Sequence, residues 1–240
     1  MKKFKKVLAA IILMTAVIMT ACNPEDEPNN GNDNGGGNGT YNGHDYVDLG
    51  LPNGTLWATY NVGAEKPEDY GDYFAWGETQ KKTTYNWSTY KYATGDYNQL
   101  TKYCSQSGYG YNGFTDNLIV LQPSDDAATA NWGSGWCMPT KAQWDALYQN
   151  TTNTWTTQNG VNGRLFTASN GNSLFLPAAG YRWDDGELDD AGSYGDYWSS
   201  TLRSVYPQDA WDFYFGSDYY GMYDAHRDYG RSVRPVRSAQ

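Results

Sequence analysis

The chain has 240 residues and a formal net charge of −10 at pH 7, with an apolar, basic start and an acidic remainder. Without the four lysines of the first 21 residues, 13 basic and 27 acidic residues are left. Such a balance repels nucleic acid and anionic lipid surfaces, so we expect neither as a partner.

Residues 1–21 have the composition of an export signal. Four lysines precede an apolar run at 7–18 that is too short to span a bilayer, and small or uncharged residues precede Cys22. This arrangement resembles a bacterial lipoprotein signal, whose cleavage leaves the cysteine as a lipid-modified N-terminus. The resemblance implies that Cys22 anchors the chain to the membrane by lipid alone.

Residues 22–43 are rich in Asn, Gly and Pro and offer little to bury, which predicts a flexible tether. The acidic run at 25–27 resembles the surface-export signal of lipoproteins in the Bacteroides group, which implies the outer membrane with display on the cell exterior. An ordinary periplasmic linker is the alternative. Residues 44–240 fit one domain by size and contain no second linker.

Short aromatic runs between Gly, Pro and Asn turns predict β-strands at both ends of this domain. The segment at 80–115 has no clear period and predicts mostly loop. The predicted strands, in chain order, lie at 46–49, 55–58, 73–76, 164–166, 173–176, 197–199, 210–215, about 220–226, and 231–236.

Two helices are predicted between these groups of strands. Thr140 and Gln143 form a capping box for a helix at 141–149, and Ser124 or Asp125 is expected to cap a short Ala-rich helix. The Asp125-Asp126 pair also suggests a metal or catalytic site, but no third ligand or partner base stands at a telling spacing, so the cap is preferred.

Cysteine usage leaves one question open. In an exported protein, Cys104 and Cys137 either form a disulfide or remain separate thiols, because nothing in the sequence fixes the distance between them.

The C-terminal stretch interleaves two residue populations. Residues 181–230 hold ten Asp and nine Tyr among regularly spaced apolar residues. In 210–215 the period of two predicts Trp211, Phe213 and Phe215 on the core face, with Asp212 and Tyr214 on the outer face. Tyr offers a rigid amphipathic ring and Asp offers hydrogen-bond acceptors, so the outer face is predicted to be a recognition surface.

Several segments resemble one known family. Residues 135–144 read Gly-Trp-Cys-Met-Pro-Thr-Lys-Ala-Gln-Trp, and related pieces are found at 46–52, 71–78, 176–182, 197–200 and 230–237. In this order they resemble C-type lectin-fold proteins related to formylglycine-generating enzymes, and the Fibrobacter succinogenes major paralogous domain. The resemblance implies an α+β C-type lectin fold of short strands, loops and one or two helices.

One subgroup of that family comprises the variable proteins of diversity-generating retroelements, in which Asn codons of the binding site are rewritten. The residue types that such rewriting produces predict a ligand-binding face here. Its predicted positions are Asp184, Asp185, Asp189, Asp190, Tyr194, Asp196, Tyr206, Asp209, Asp212, Tyr214, Asp218, Tyr219, Tyr220, Tyr223, Asp224, His226, Asp228 and Tyr229. Residues 173–240 contain no Asn, which leaves a fixed, undiversified member as the alternative.

Catalysis is not expected. The chain lacks the C-terminal cysteine pair of formylglycine-generating enzymes and a good match to the calcium-binding motifs of lectins, and its two histidines, His44 and His226, form no triad or metal cluster. We therefore predict no catalytic residue, metal or cofactor. Arg231, Arg234 and Arg237 are expected to form ion pairs beneath the acidic face, with anion recognition as the alternative.

These observations together predict a surface lipoprotein that binds an unknown macromolecule, protein or glycan, without covalent chemistry. A fixed adhesion or structural subunit of the envelope is the first alternative. A carbohydrate-active enzyme using two of the many carboxylates is the second, although the sequence singles out no pair.

Overall fold

The computed structural model describes residues 37–239, and these residues form a β-rich fold. Strands account for 38% of the described residues and helices for only 10%, so the predicted α+β class is wrong: these residues form several small β-sheets with two helices. The reason is local, because helix-starting signals occur twice, whereas short runs of aromatic and β-branched residues recur along most of the domain. The predicted signal, Cys22 and the tether up to residue 36 lie outside the described residues.

The strands of residues 37–239 are numbered in chain order. They are β1 Gly39–Tyr41, β2 His44–Asp48, β3 Thr55–Ala58, β4 Tyr73–Phe74, β5 Thr151–Gln158, β6 Val161–Ala168, β7 Ser173–Pro177, β8 Tyr181–Trp183, β9 Glu187–Asp189, β10 Gly195–Leu202, β11 Asp209–Phe215, β12 Tyr220–His226, β13 Arg231–Ser232 and β14 Val236–Ser238.

Four sheets result. Strand β1, inside the predicted tether, pairs with β2 in the sheet β1-β2-β3-β14, and the five-stranded sheet has the order β12-β11-β10-β13-β4. Strands β5-β6-β7 and β8-β9 form the other two. The pairing of β10 with β13 is parallel, and the remaining pairs are antiparallel. The C-terminal end of the chain thus contributes a strand to each of the two larger sheets.

Both helices begin at side-chain caps. In α2, Lys141–Gln149, Thr140 and Gln143 form the capping box as predicted. In α1, Ala127–Trp132, the cap is Asp126, whose carboxylate accepts the Thr129 N–H at 3.0 Å. The predicted caps Ser124 and Asp125 are wrong, because they lie in a 3-10 turn, Pro123–Asp125, that ends before the helix.

Asp125 contributes to the core instead. Its carboxylate accepts the hydroxyls of Tyr92 and Tyr103, the latter at 2.7 Å, and pairs with Lys102 Nζ at 2.6 Å. These contacts hold the pKa of Asp125 down at about 2 although burial opposes the shift. The loop-rich segment that contributes Tyr92, Lys102 and Tyr103 is thereby fixed to the 3-10 turn that precedes α1.

Cys104 is a buried free thiol, so the Cys104–Cys137 disulfide is not formed. The Cys104 Sγ lies 3.2 Å from the Gln106 carbonyl oxygen, to which it donates a hydrogen bond. Burial raises the pKa of this thiol.

Candidate functional site

The site is built on β10, β11 and β12, which have two different faces. Asp196 and Trp198 of β10 lie opposite Tyr214 and Asp212 of β11, and Asp212 lies opposite Tyr223 of β12. These residues share one face of the sheet, which we call the tyrosine face. On the other face, Phe213 and Phe215 are fully buried against α2 and β6, as the alternation predicted.

The faces of β11 alternate as predicted, but the burial of two of its side chains differs from the expectation. Trp211 is only partly buried, because its ring lies between two cations, Lys141 Nζ at 5.1 Å and the Arg203 guanidinium at 4.9 Å. Asp212 was predicted to lie on the outer, ligand-binding face, but it is only 1% exposed. Strand alternation assigns a side chain to a face, and it does not say what covers that face.

Four aromatic side chains form a group at the surface, the tyrosine cluster, in which Tyr219 and Tyr223 are exposed and Tyr194 and Tyr214 are half-buried. The Tyr214 ring centroid is 5.6 Å from Tyr194, 5.4 Å from Tyr219 and 5.5 Å from Tyr223, and the last pair is perpendicular. Tyr219 donates its hydroxyl to Tyr214 at 2.9 Å. Tyr223 remains 48% exposed and Tyr219 38% exposed, so the cluster presents rings and hydroxyls to solvent.

A charged layer lies on the same face, beside the tyrosine cluster. Arg231 Nη1 donates to Asp212 Oδ2 at 2.5 Å and to Asp196 Oδ1, and all three side chains are buried. Asp196 Oδ2 and Asp212 Oδ1 have no hydrogen-bond partner among the described residues. Burial raises the pKa of Asp212 to about 7 and raises that of Asp196, with Arg231 opposing both shifts.

The predicted arginine ion pairs therefore hold for Arg231. Arg234 is different, because it donates to the Asn61 side chain at 2.8 Å and to the Ala58 carbonyl at 3.2 Å. Arg237 stacks on Tyr41, with its guanidinium carbon 3.9 Å from the ring centroid. Two of the three arginines thus stabilise the region around β3 rather than the acidic face.

A second aromatic group lies where β12 ends. His226 is 5.8 Å from Trp87 and 5.6 Å from Tyr229, which stacks on Tyr181 at 5.9 Å. His226 also lies 3.7 Å from Asp209, whose pKa is raised by burial and lowered in part by this histidine.

Asp228 is buried close to this second group. It is only 3% exposed, and one of its carboxylate oxygens has no partner among residues 37–239. Burial raises its pKa to about 7, with Lys82 among the groups that oppose the shift.

The remaining predicted residues divide between the other face and the β8-β9 hairpin. On the other face, Tyr220 packs against Tyr148 and lies 4.7 Å from the Arg164 guanidinium, while Arg203 pairs with Asp224 and stacks on Tyr206 at 5.3 Å. The predicted binding residues therefore do not form one surface. Tyr206, Tyr220 and Asp224 point away from the tyrosine cluster.

Most of the hairpin aspartates have local structural roles. Asp184 and Asp190 have φ angles of 45° and 60°, which Asp tolerates better than most residues. Asp185 accepts the Glu187 N–H at 3.2 Å, and Asp189 accepts the Trp183 indole N–H. These contacts shape the β8-β9 hairpin. Exposed Asp190 and Asp218 instead act electrostatically on Tyr194, whose pKa is raised first by Tyr219 and then by these carboxylates.

Sequence analysis missed Trp183, Trp87 and Arg203, which flank the predicted positions. Trp183 is 43% exposed on the hairpin, Trp87 contacts His226, and Arg203 lies between Tyr206 and Trp211. An exposed tryptophan beside two aspartates is the one available signal, at 183–185. Nothing local marks Trp87 or Arg203, because their roles depend on contacts distant in sequence.

Within residues 37–239, no group of three or more His, Cys, Asp or Glu side chains is arranged to hold a metal ion. None of the helices there is long and apolar enough to cross a membrane. Residues 155–236 match a family model described as a domain of unknown function (DUF8237), a range that runs from β5 to β14 and includes the tyrosine face. No curated protein and no solved structure matches the chain.

Proposed function

We propose that this protein is a surface-displayed lipoprotein that binds a macromolecular ligand, protein or glycan, non-covalently through the tyrosine face. The ligand contacts the tyrosine cluster, and the acidic side chains around it favour basic or polar groups. Display on the cell exterior through lipid on Cys22 is part of the proposal. It is supported by the composition of residues 1–43 alone.

The observation that carries the proposal is the exposure of the tyrosine cluster. Tyr219 and Tyr223 keep 38% and 48% of their surface in solvent. Tyr rings lose little conformational entropy on binding and combine contact area with a hydroxyl donor, so such clusters are effective binding surfaces.

The proposal extends to retroelement-driven diversification, supported by the resemblance of the C-terminal residues to variable proteins. Burial separates positions that tolerate rewriting from those that do not. Tyr219, Tyr223 and His226 are exposed, whereas Asp196 and Asp212 are the two carboxylates that pair with buried Arg231 within residues 37–239. Diversification should therefore vary the former and keep the latter fixed. A fixed envelope adhesin using the same face is the second candidate, favoured by the absence of Asn after residue 172.

Sequencing the DNA around the gene distinguishes these two candidates. A reverse transcriptase together with a near-copy of the segment encoding 181–237, with adenines at the exposed positions, supports diversification. The absence of both leaves the fixed adhesin.

The binding site is tested with a triple variant, Tyr214→Ala/Tyr219→Ala/Tyr223→Ala. The full-length chain is screened against arrays of glycans and of surface proteins, and each hit is measured again with the variant. We expect a loss of at least about tenfold in affinity, since clustered Tyr side chains dominate such interfaces. The matched control is Tyr220→Ala, a similarly exposed tyrosine on the opposite face, which should retain binding. Equal effects of the two variants, or none, would refute the proposed site.

A further inference from the structure

Strand β12 is an uncovered edge of the five-stranded sheet. It is last in the strand order, has seven residues and pairs with β11 without a bulge. Proteins usually protect such edges with lysine, proline, bulges or a covering element. The sequence Tyr-Gly-Met-Tyr-Asp-Ala-His contains neither lysine nor proline.

The hydrogen-bond pattern shows which backbone groups face outward. One hydrogen bond flanks each end of the ladder between β11 and β12. The Arg227 N–H donates to the Gln208 carbonyl at 3.1 Å, and the Gly216 N–H donates to the Tyr219 carbonyl at 2.9 Å. In an antiparallel pair every second residue exchanges bonds with its partner, so 221, 223 and 225 face β11. The N–H and C=O groups of Met222 and Asp224 therefore point away from the sheet. No hydrogen bond within residues 37–239 involves them.

The surroundings of this edge favour a basic partner. Tyr223 of the tyrosine cluster projects from β12. Exposed Asp190 accepts the Tyr194 N–H at its carbonyl at 3.0 Å, and exposed Asp218 directly precedes Tyr219. Arg231, the cation described on this face, is already shared by two carboxylates. The opposite face is mixed, since Arg164 and Arg203 lie there together with Asp224. A strand added to this edge would thus have one acidic, aromatic side and one mixed side.

We propose that β12 accepts an extended segment of a partner protein as an additional strand. Lys or Arg at every second position of that segment faces the tyrosine cluster. Its backbone pairs with the outward groups of Met222 and Asp224, and its cations lie over the Tyr rings near Asp190 and Asp218. This inference rests on the proposed function, because β12 borders the proposed binding face, and it selects protein rather than glycan as the ligand.

A second uncovered edge, β5, provides an internal comparison. Strand β5 lies at the end of its three-stranded sheet, and its residues, Thr151–Gln158, carry no charge. Backbone pairing alone would not distinguish β5 from β12. Selection of a basic segment requires the acidic tyrosine face and is therefore specific to β12.

The test uses a synthetic peptide of alternating lysine and threonine, matched in length to β12, with a glutamate-threonine peptide as control. Backbone amide exchange of the full-length chain is followed by NMR with and without peptide. We expect the lysine peptide, at up to about 1 mM, to slow exchange at Met222 and Asp224 by about tenfold or more. The β5 amides and the glutamate control should show no change.

Two further peptides test backbone pairing without altering the protein. One is N-methylated at the lysines and the other at the threonines, so each blocks one edge of the added strand. One isomer should bind like the parent and the other should lose protection at Met222. Equal behaviour of the two isomers, absence of binding by the lysine peptide, or protection at β5 instead of β12 would each overturn the inference.

Protection of Met222 in the absence of peptide, rising with protein concentration, would show that β12 pairs with a second copy of the chain and would also overturn it. The proposed function is tested separately. Suppose that a ligand binds the native protein without protecting the Met222 and Asp224 amides, and that the triple tyrosine variant no longer binds it. The tyrosine face is then the binding site, and the proposal of strand addition is refuted.

Discussion

Two regions of this molecule use the same residue types for opposite purposes. In the tyrosine cluster, rings about 5.5 Å apart stand in solvent and share one hydroxyl hydrogen bond. Around Arg227, rings at similar distances are sealed inside: its guanidinium lies 5.0 Å from Trp76 and 5.2 Å from Tyr90, with no exposed surface.

The two regions differ in how completely their polar groups are hydrogen-bonded within the protein, and not in the geometry of their rings. Arg227 donates to the Tyr90 hydroxyl at 2.9 Å and to the carbonyls of Lys102, Tyr103 and Pro207 at 2.7 to 3.0 Å. Those partners belong to loops far apart in the chain, so Arg227 joins them to the end of β12. A buried polar group with all its partners stabilises a fold, whereas an exposed one is available to a ligand.

The largest expected effect is at Arg227. Arg227→Met should lower the free energy of unfolding by about 3–5 kcal/mol, because two buried carbonyls, one partly buried carbonyl and one buried hydroxyl lose their donor. Arg203→Met is the matched control, since Arg203 is partly exposed and pairs with Asp224 at the surface, and it should cost about 1 kcal/mol or less. Urea unfolding measures both. Similar losses for the two variants would contradict the contrast between the regions.

A smaller loss is expected at Arg231, whose buried ion pairs lie beside the tyrosine cluster. Arg231→Met should cost about 2–4 kcal/mol near pH 8, because Asp196 and Asp212 stay buried without a counter-charge. The loss should shrink toward pH 5 as these carboxylates, whose pKa values are already raised, take up protons. Adding Asp196→Asn and Asp212→Asn should recover most of the stability. A triple variant as unstable as the single one would show that Arg231 acts through packing alone.

At Asp228 we expect a substitution to raise the free energy of unfolding rather than to lower it. Burial raises its folded-state pKa from 3.8 to about 7, so between about pH 4 and 7 the unfolded state ionises while the folded state stays protonated, and stability falls as pH rises. Asp228→Asn removes this ionisable group and with it the loss of stability at higher pH. Thermal or urea unfolding should show a gain of about 1–3 kcal/mol at pH 8 that disappears near pH 4. A loss at pH 8 would mean that the ionised carboxylate is stabilising.

The smallest expected change in stability is for a Tyr→Phe substitution in the tyrosine cluster, which can be compared with the same substitution near Arg227. Tyr219→Phe removes the hydroxyl bond within the exposed tyrosine cluster and should change stability by about 0.5 kcal/mol or less. Tyr90→Phe removes a buried hydroxyl that donates to Trp76 O at 2.7 Å and accepts from Arg227, and should cost about 1–3 kcal/mol. Equal costs would place the tyrosine cluster in the core.

Local patterns predicted most strands and the α2 capping box, because alternation and caps depend on neighbours a few residues apart. They failed where the burial or pairing of a residue depends on a contact with a residue far away in the sequence. Asp212 is buried because Arg231 arrives from β13, and β5 was missed because its Thr-rich, half-exposed residues alternate weakly in polarity. The predicted α+β class was wrong because helix-starting signals occur at only two places in the domain, whereas short strand-forming runs recur along most of it.

The sequence predicted the residue types of the candidate site, but it predicted only in part which of these residues lie together. Tyr194, Tyr214, Tyr219 and Tyr223 meet as expected of a recognition surface, but Tyr220 and Asp224 project from the same strand to the other face. A strand presents adjacent residues to opposite sides, so a run of adjacent Tyr and Asp cannot form one surface.

The pairing of β3 with β14 affects how fast the protein reaches its native state. Trp57 lies opposite Val236, and Tyr73 of β4 lies opposite Ser232, so two sheets close only when segments from near the two ends of the domain meet. Such distant pairings impose a large loop-closure entropy before any contact is gained, and β-proteins of this kind fold in about milliseconds to seconds or more slowly. Until that closure, β3 and β4 expose unpaired edges, so the newly made chain is most prone to aggregation during this interval.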